Sequence, residues 1–234
     1  MLFSYFIVYH RGTSRGAGVG DADKARFVEI VGATPRLRKA LVYTPEAASD
    51  PYVQGEAPPL LAAQLYFADI ADLEAALAPT GHLQALAAPG VLPSLAGAVV
   101  AQQAMLTRTV PVPDPVFRTA PGKLPCSYLV AYPGPAEDLN RWLSFYVASH
   151  PVPMAKLPGI REIEILTRID WCGFLAFPRA SDMLRNKVVF DDAAALTAAL
   201  ASPVRHEMRE DYRRFPPFSG GNTHFPMATL AVAP

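Results

Sequence analysis

The stretch FADIADLEAALA, residues 67–78, returns 123 positions later as FDDAAALTAALA, residues 190–201. The same offset carries Ser4, Tyr5 and Tyr9 onto Ser127, Tyr128 and Tyr132. Alanine-rich helices agree at some positions by chance, but chance does not supply the tyrosines or the Phe67/Phe190 and Asp69/Asp192 pairs. One constant offset at both ends of a unit predicts a duplicated chain. Between the copies runs VPVPDPVFRTAPGKLP, residues 110–125, whose prolines favour an extended linker. The expected organisation is a first repeat over 1–110, a linker over 111–125 and a second repeat over 126–234.

Within the second copy, CSYLVAY reads as a strand and PAEDLNRWLSFYVASH as a helix with Pro135 and two acids in its first turn. IREIEILTRI and RNKVVFD read as strands, residues 191–201 as an Ala-rich helix, and FPMATLAVA as a closing strand. The first copy gives the same order from residues 2–10, 22–32, 36–44, 60–68, 69–78 and 96–109. The predicted fold class is therefore α+β: two ferredoxin-like βαββαβ repeats, each with two helices on one face of a four-stranded antiparallel sheet. Packing the free faces together within one chain predicts a barrel whose interior suits a small molecule.

Composition bounds the function. With 51% hydrophobic and 18% charged residues over 234 positions, the chain buries a substantial core. Its 21 basic and 21 acidic residues balance, without a basic run interleaved with aromatics, so a nucleic-acid partner is not expected. Cys126 and Cys172 are too few for a disulfide scaffold and lack zinc-site spacing, which points to a reducing cytoplasm. MLFSYFIVYH has no basic n-region or cleavage site and reads as a strand, and no segment is long enough to enter a membrane.

The candidate site centres on His150. Leu139, Trp142, Leu143, Tyr146, Val147 and His150 follow helical spacing, so the imidazole continues a buried stripe. Pro151 disfavours helix at the preceding residue, so the helix should stop there, leaving the ring beside unpaired carbonyls. Running antiparallel to the first strand, this helix should bring His150 to Ser127, Tyr128, Arg161 and the Phe190–Asp192 segment. His150, Tyr128 and Tyr146 are the candidate catalytic residues, and Arg161, Ser127, Trp142 and Tyr5 the candidate substrate contacts. A histidine, a phenol and a guanidinium at one pocket mouth suit proton transfer on an organic acid or carbonyl compound. Plainer readings stand beside these. Arg161 could pair with Glu162 or Glu164, Tyr5 and Tyr128 could be core, and His10 and His224 should lie towards the opposite sheet ends as structural residues, although either could join a site formed across the two copies. Asp69 and Asp192 read as N-caps. Five unpaired histidines make no zinc pattern, and haem has only one inward imidazole in its favour.

FYVASHPVPMAKLPGIREIEI, residues 145–165, resembles the EthD-type stretch: an aromatic helix ending in His-x-Pro, then Leu-Pro-Gly-x-Arg into a strand. VVFDDAAALTAALASP with MREDYRRF is similar to the later part of that family. The resemblance covers about residues 126–232 and implies the dimeric α+β barrel superfamily, with the usual two-subunit barrel built from one chain. That superfamily includes cofactor-independent monooxygenases, lactone isomerases, polyketide cyclases, decarboxylating or dehydrating enzymes and some haem proteins. The expected activity is a cofactor-independent lyase or isomerase of aromatic compound catabolism. The alternatives are a monooxygenase on a phenol and a non-catalytic binding protein. No cofactor or metal is expected. A homodimer is the superfamily's ordinary state, although the duplication already supplies its main interface. The first copy has VGATPRLRKALVY in place of the histidine and Leu-Pro-Gly step, which predicts one site per chain. The long Pro-rich loop YTPEAASDPYVQGEAPPLL, residues 43–61, is placed to cover it.

Overall fold

The computed structural model describes residues 2–14, 18–52 and 57–233. The first half runs β1 (Leu2–His10), α1 (Asp21–Gly32), β2 (Lys39–Pro45), β3 (Leu61–Phe67), α2 (Ile70–Ala76) and β4 (Val99–Val110), with two short 3-10 turns before β4. The second runs β5 (Cys126–Tyr132), α3 (Leu139–Ser149), α4 (Pro151–Met154), β6 (Glu162–Arg168), β7 (Leu184–Phe190), α5 (Ala193–Leu200), α6 (Val204–Arg213) and β8 (Thr223–Val232). All eight strands close into one antiparallel barrel in the order β1-β3-β2-β8-β5-β7-β6-β4. Each half contributes four neighbouring strands in equivalent order, and the β2–β8 and β4–β6 pairings seal the ring.

Alternation along the strands divides inside from outside. Tyr5, Ile7 and Tyr9 of β1 pack outward with Phe27 and Val31 of α1, while Tyr128, Val130 and Tyr132 of β5 pack outward with Trp142 and Tyr146 of α3. Ser4 and Ser127 lie within the barrel: Ser4 shares a 2.6 Å hydrogen bond with Thr107, and Thr229 donates to Ser127 at 2.7 Å. At the centre, the Lys187 ammonium is 2.9 Å from Glu162 and 3.0 Å from Glu164, and donates to the Tyr66 hydroxyl at 2.7 Å. Gln64 and Tyr66 donate to the same Glu164 oxygen, so every buried charge here has a partner. Burial opposes the Lys187 charge, but Tyr43, Glu164 and Glu162 hold its pKa up. Beside this network a lumen cavity of about 350 Å³ is lined by Phe6, Val8, Leu129, Leu166 and Phe225.

Two long connections cross between the halves. The β6–β7 connection lies on the first half, where Trp171 meets Tyr5 edge-on at 5.9 Å and Phe177 meets Tyr9 at 6.4 Å. Gln102 donates to the Leu175 and Phe177 carbonyls and accepts from Tyr5. The β2–β3 connection lies reciprocally on the second half: Tyr128 donates to Asp50, and the Ser49 amide donates to Thr197.

Three sequence expectations are corrected. The helix after β5 begins at Leu139 rather than Pro135, because Asp138 caps it by accepting from the Arg141 amide. The helical course also does not stop at His150. His150 is itself α-helical (φ −66, ψ −35), Pro151 opens α4, and the Met154 amide takes up the His150 carbonyl at 3.4 Å. A proline at a first helical position lacks only an N–H that would have no helical partner. The chain turns away at Leu157-Pro158-Gly159, where Gly159 takes φ 75, a conformation that costs glycine no Cβ clash. Third, α6 had no place in the expected order. Asp69 and Asp192 do cap α2 and α5, accepting from the amides of Ala71 and Ala195.

Candidate active site

A cavity of about 210 Å³ lies between the outer face of β5, β7 and β8 and the helices α3 to α6. It is separate from the barrel lumen, so the expectation that the enclosed interior holds the histidine site is corrected. Outward-facing residues of a sheet meet helices, and His150 sits on the helix side. Its walls combine Val130, Met154, Leu157 and Val188 with the rings of Tyr128 and Tyr132. Tyr52 reaches it from the first half, so both halves build the site. The loop expected to cover the pocket does so through Asp50 and Tyr52; its residues 53–56 lie outside the described set.

His150 is 5% exposed, wedged against Tyr146 and Phe215 with ring centroids 4.9 and 5.1 Å away. Its Nδ1 lies 2.8 Å from Oδ2 of Asp211, on α6. Burial works against the Asp211 charge, but the hydrogen bond and charge of His150, with Ser149 and Arg214, hold its carboxyl below the usual range. An ionised carboxylate only accepts, so Nδ1 carries the proton and a neutral ring keeps its lone pair on Nε2. That is the tautomer a general base needs, fixed by a carboxylate that also stabilises the imidazolium formed on proton uptake.

A second polar group closes the opposite side. Tyr128 donates to Asp50 Oδ2 at 2.7 Å, and Arg205 donates to the same oxygen at 2.8 Å. Burial, then Asp50 itself, pushes the Tyr128 phenol above its usual value. Its proton is engaged by Asp50, so the Tyr128 hydroxyl, expected as an orienting donor, here donates to the loop carboxylate. His224 stacks obliquely on Tyr128 at 5.3 Å. Burial, with a contribution from Arg205, pulls its pKa down to about 4, so it is neutral at pH 7.

The remaining expected residues separate. Tyr146 is fully buried with its hydroxyl accepting from Asn186 at 2.6 Å, and Trp142 stacks on Tyr146 at 5.3 Å; both support the wall from behind. Ser127 faces the lumen, and Tyr5 lies in the other half. Arg161 is not beside His150. Its guanidinium donates to Asp191 at 2.8 and 3.0 Å and to Asp114 of the linker at 2.7 Å, where it pins linker to barrel. Neither Glu162 nor Glu164 takes it, because both face Lys187 inside the barrel. His224, expected towards the opposite sheet end with a place in a site across the two copies as the alternative, lines the cavity, since β8 runs antiparallel to β5 and sets His224 opposite Val130. Asp211, Asp50, Arg205 and Asn186 were not anticipated. MREDYRRF, which carries Asp211, stood out in the sequence without a role. Among the described residues no cluster of three His, Cys, Asp or Glu side chains could hold a metal ion. The cavity suits a ligand of one or two rings and is too small for a porphyrin, so the residues present do not fit haem.

No protein-family model matches the chain, and no curated protein matches it in sequence. Solved structures do match in shape. An anthrone oxidase-like protein superposes with TM-score 0.60 at 12% identity, covering 98% of this chain and 92% of that one. A proposed monooxygenase from Fusobacterium nucleatum gives 0.58 at 7% identity, covering 98% and 92%. A mutant chlorite dismutase from Candidatus Nitrospira defluvii gives 0.50 at 10% identity, covering 97% and 91%. No described helix is long and apolar enough to cross a membrane. By strand order, barrel closure and these likenesses, the chain has a mixed α+β fold around a closed eight-stranded antiparallel barrel, consistent with the dimeric α+β barrels.

Proposed function

We propose that this protein is a cofactor-independent enzyme that begins its reaction by taking a proton from a small aromatic acid or phenolic carbonyl compound. The carrying observation is the buried His150–Asp211 pair opening onto an aromatic-lined cavity. His150 Nε2 is the base, Asp211 holds the ring and balances the imidazolium, and the Tyr128–Asp50–Arg205 group closes the far wall. The resulting carbanion or enolate then expels water or is reprotonated elsewhere, whereas in a decarboxylation the imidazolium returns its proton to the carbon that carbon dioxide leaves; the outcome is a lyase or an isomerase. A second reading shares this first step: the enolate passes its electrons to molecular oxygen. Its support is the shape likeness to an anthrone oxidase-like protein, since oxidation of an anthrone also starts at a carbon acidified by a ketone. In either reading the two halves descend from one duplicated ferredoxin-like, EthD-like unit, of which only the second keeps the histidine motif.

The test is mass spectrometry of aromatic acids and phenolic carbonyls incubated with the protein, with and without oxygen. Loss of carbon dioxide or water, or an isomerised product, in both atmospheres supports the lyase or isomerase, and an oxygen-dependent gain supports the monooxygenase. Removing a general base costs about 100-fold or more. His150→Ala should therefore lose turnover by at least that factor while remaining folded; unchanged turnover removes His150 from the mechanism.

A further inference from the structure

Two of the side-chain atoms that are buried without a hydrogen-bond partner, Arg205 Nε and His224 Nδ1, belong to residues that line this same cavity. Such atoms are rare in folded proteins because each forfeits its bonds to water. The two are close in the structure. Arg205 and Tyr128 share one Asp50 oxygen, and the Tyr128 ring rests on His224. Arg205 Nε–H only donates, and it belongs to a cation. His224 is neutral, so one of its ring nitrogens carries a lone pair, and the unpartnered Nδ1 can be that acceptor. The cavity thus offers one charged donor and one neutral acceptor. Arg209 adds a second positive charge to the lining; it stacks on the Tyr52 ring at 4.0 Å and forms no ion pair with a carboxylate among the described residues. Asp50 offsets Arg205, and Asp211 is committed to His150. The lining therefore carries an excess of positive charge over an aromatic wall.

We infer that the ligand is an anionic hydroxyaromatic acid, its carboxylate accepting from Arg205 Nε beside Arg209 and its hydroxyl donating to His224 Nδ1. This rests on the reading of the cavity as the substrate site, and it narrows the substrate class that His150 would meet. It also moves anion recognition from Arg161, which two aspartates already occupy, to Arg205.

The experiment is calorimetric binding of benzoate, its three monohydroxy derivatives and uncharged phenol to the full chain. It uses wild type and the variants His150→Ala, His224→Phe and Arg205→Lys. One neutral hydrogen bond corresponds to roughly five- to tenfold in affinity. At least one hydroxybenzoate should bind wild type about that much more tightly than benzoate, and every carboxylate more tightly than phenol. His224→Phe, which keeps a ring against Tyr128, should abolish the preference for the hydroxy acid and leave benzoate unchanged. Arg205→Lys keeps the charge facing Asp50 but removes Nε–H, and should weaken all carboxylates about tenfold. Absence of binding, equal binding of benzoate and all hydroxybenzoates, or a hydroxyl preference that survives His224→Phe would overturn the inference. His150→Ala separates it from the catalytic proposal. If hydroxy acids bind this variant and wild type alike but wild type transforms none, recognition stands and the chemistry falls. If wild type turns substrates over with no dependence on His224 or Arg205, the reverse holds.

Discussion

The two halves of the barrel solve one packing problem in opposite ways. In each, a sheet and its helices are covered by a connection from the other half. On the first half, the cover is Trp171, Leu175 and Phe177, which fill the space above Tyr5 and Tyr9 with rings and aliphatic carbon. On the second, the cover is Asp50 and Tyr52, which close the edge by hydrogen bonds to Tyr128 and His206 and leave a cavity beneath. Tyr5 and Tyr128 occupy equivalent positions, yet one hydroxyl donates to a neutral amide and the other to a carboxylate shared with arginine. The open cavity thus lies in the half whose cover is polar and thin.

The largest test of this contrast lies inside the barrel, where Gln64 and Lys187 are separated by the same offset and approach the same Glu164 oxygen. Lys187→Met should cost about 3–5 kcal/mol in urea unfolding, because it strands Glu164 as a buried charge with no cation and leaves Glu162 only Lys39 at 3.9 Å. Gln64→Leu removes hydrogen bonds with Tyr43, Ser4 and the Glu164 carboxylate but leaves the ion pairs in place, and should cost about 1–3 kcal/mol. Equal losses would show that the interior does not distinguish its two sides.

Next is pH. His224 has its folded pKa lowered from 6.5 to about 4, so between these values the unfolded chain binds more protons than the folded one. Stability is complete above pH 6.5 and declines as pH falls towards 4, by up to about 3 kcal/mol. His224→Phe should flatten this decline. The depressed Asp50 and Asp211 contribute separately, losing their stabilisation only as pH falls below the ordinary aspartate range. A decline between pH 6.5 and 4 that persists in His224→Phe would place its origin elsewhere.

The smallest effects compare the two covers directly. Trp171→Ala should destabilise the protein by about 2 kcal/mol, visible as a Tm lowered by about 5 °C, because it empties packed space over Tyr5. Tyr52 is 41% exposed, and Tyr52→Ala should stay within about 0.5 kcal/mol while altering ligand affinity. Similar losses from both would erase the distinction between a filled and an open half.

The parts legible in the sequence were those set by repetition and periodicity. The 123-residue offset placed Tyr5 and Tyr128 at equivalent positions, and the helical stripe made His150 buried. What stayed hidden depended on partners remote in the chain. Asp211 is 61 positions from His150, and Asp50 is 78 from Tyr128 and 155 from Arg205. Arg161 misled for the same reason: nothing near it in sequence announces that Asp191 and the linker's Asp114 enclose it. His150 also showed that a proline after a residue does not end a helical course when it can open the next turn.

Closure of the ring within one polypeptide has an evolutionary consequence. In a barrel assembled from two identical chains, every substitution occurs twice, and a change that improves one face is imposed on its mirror. Here each substitution occurs once. The tryptophan that covers one half need not be tolerated in the other, so the two halves can differ one residue at a time.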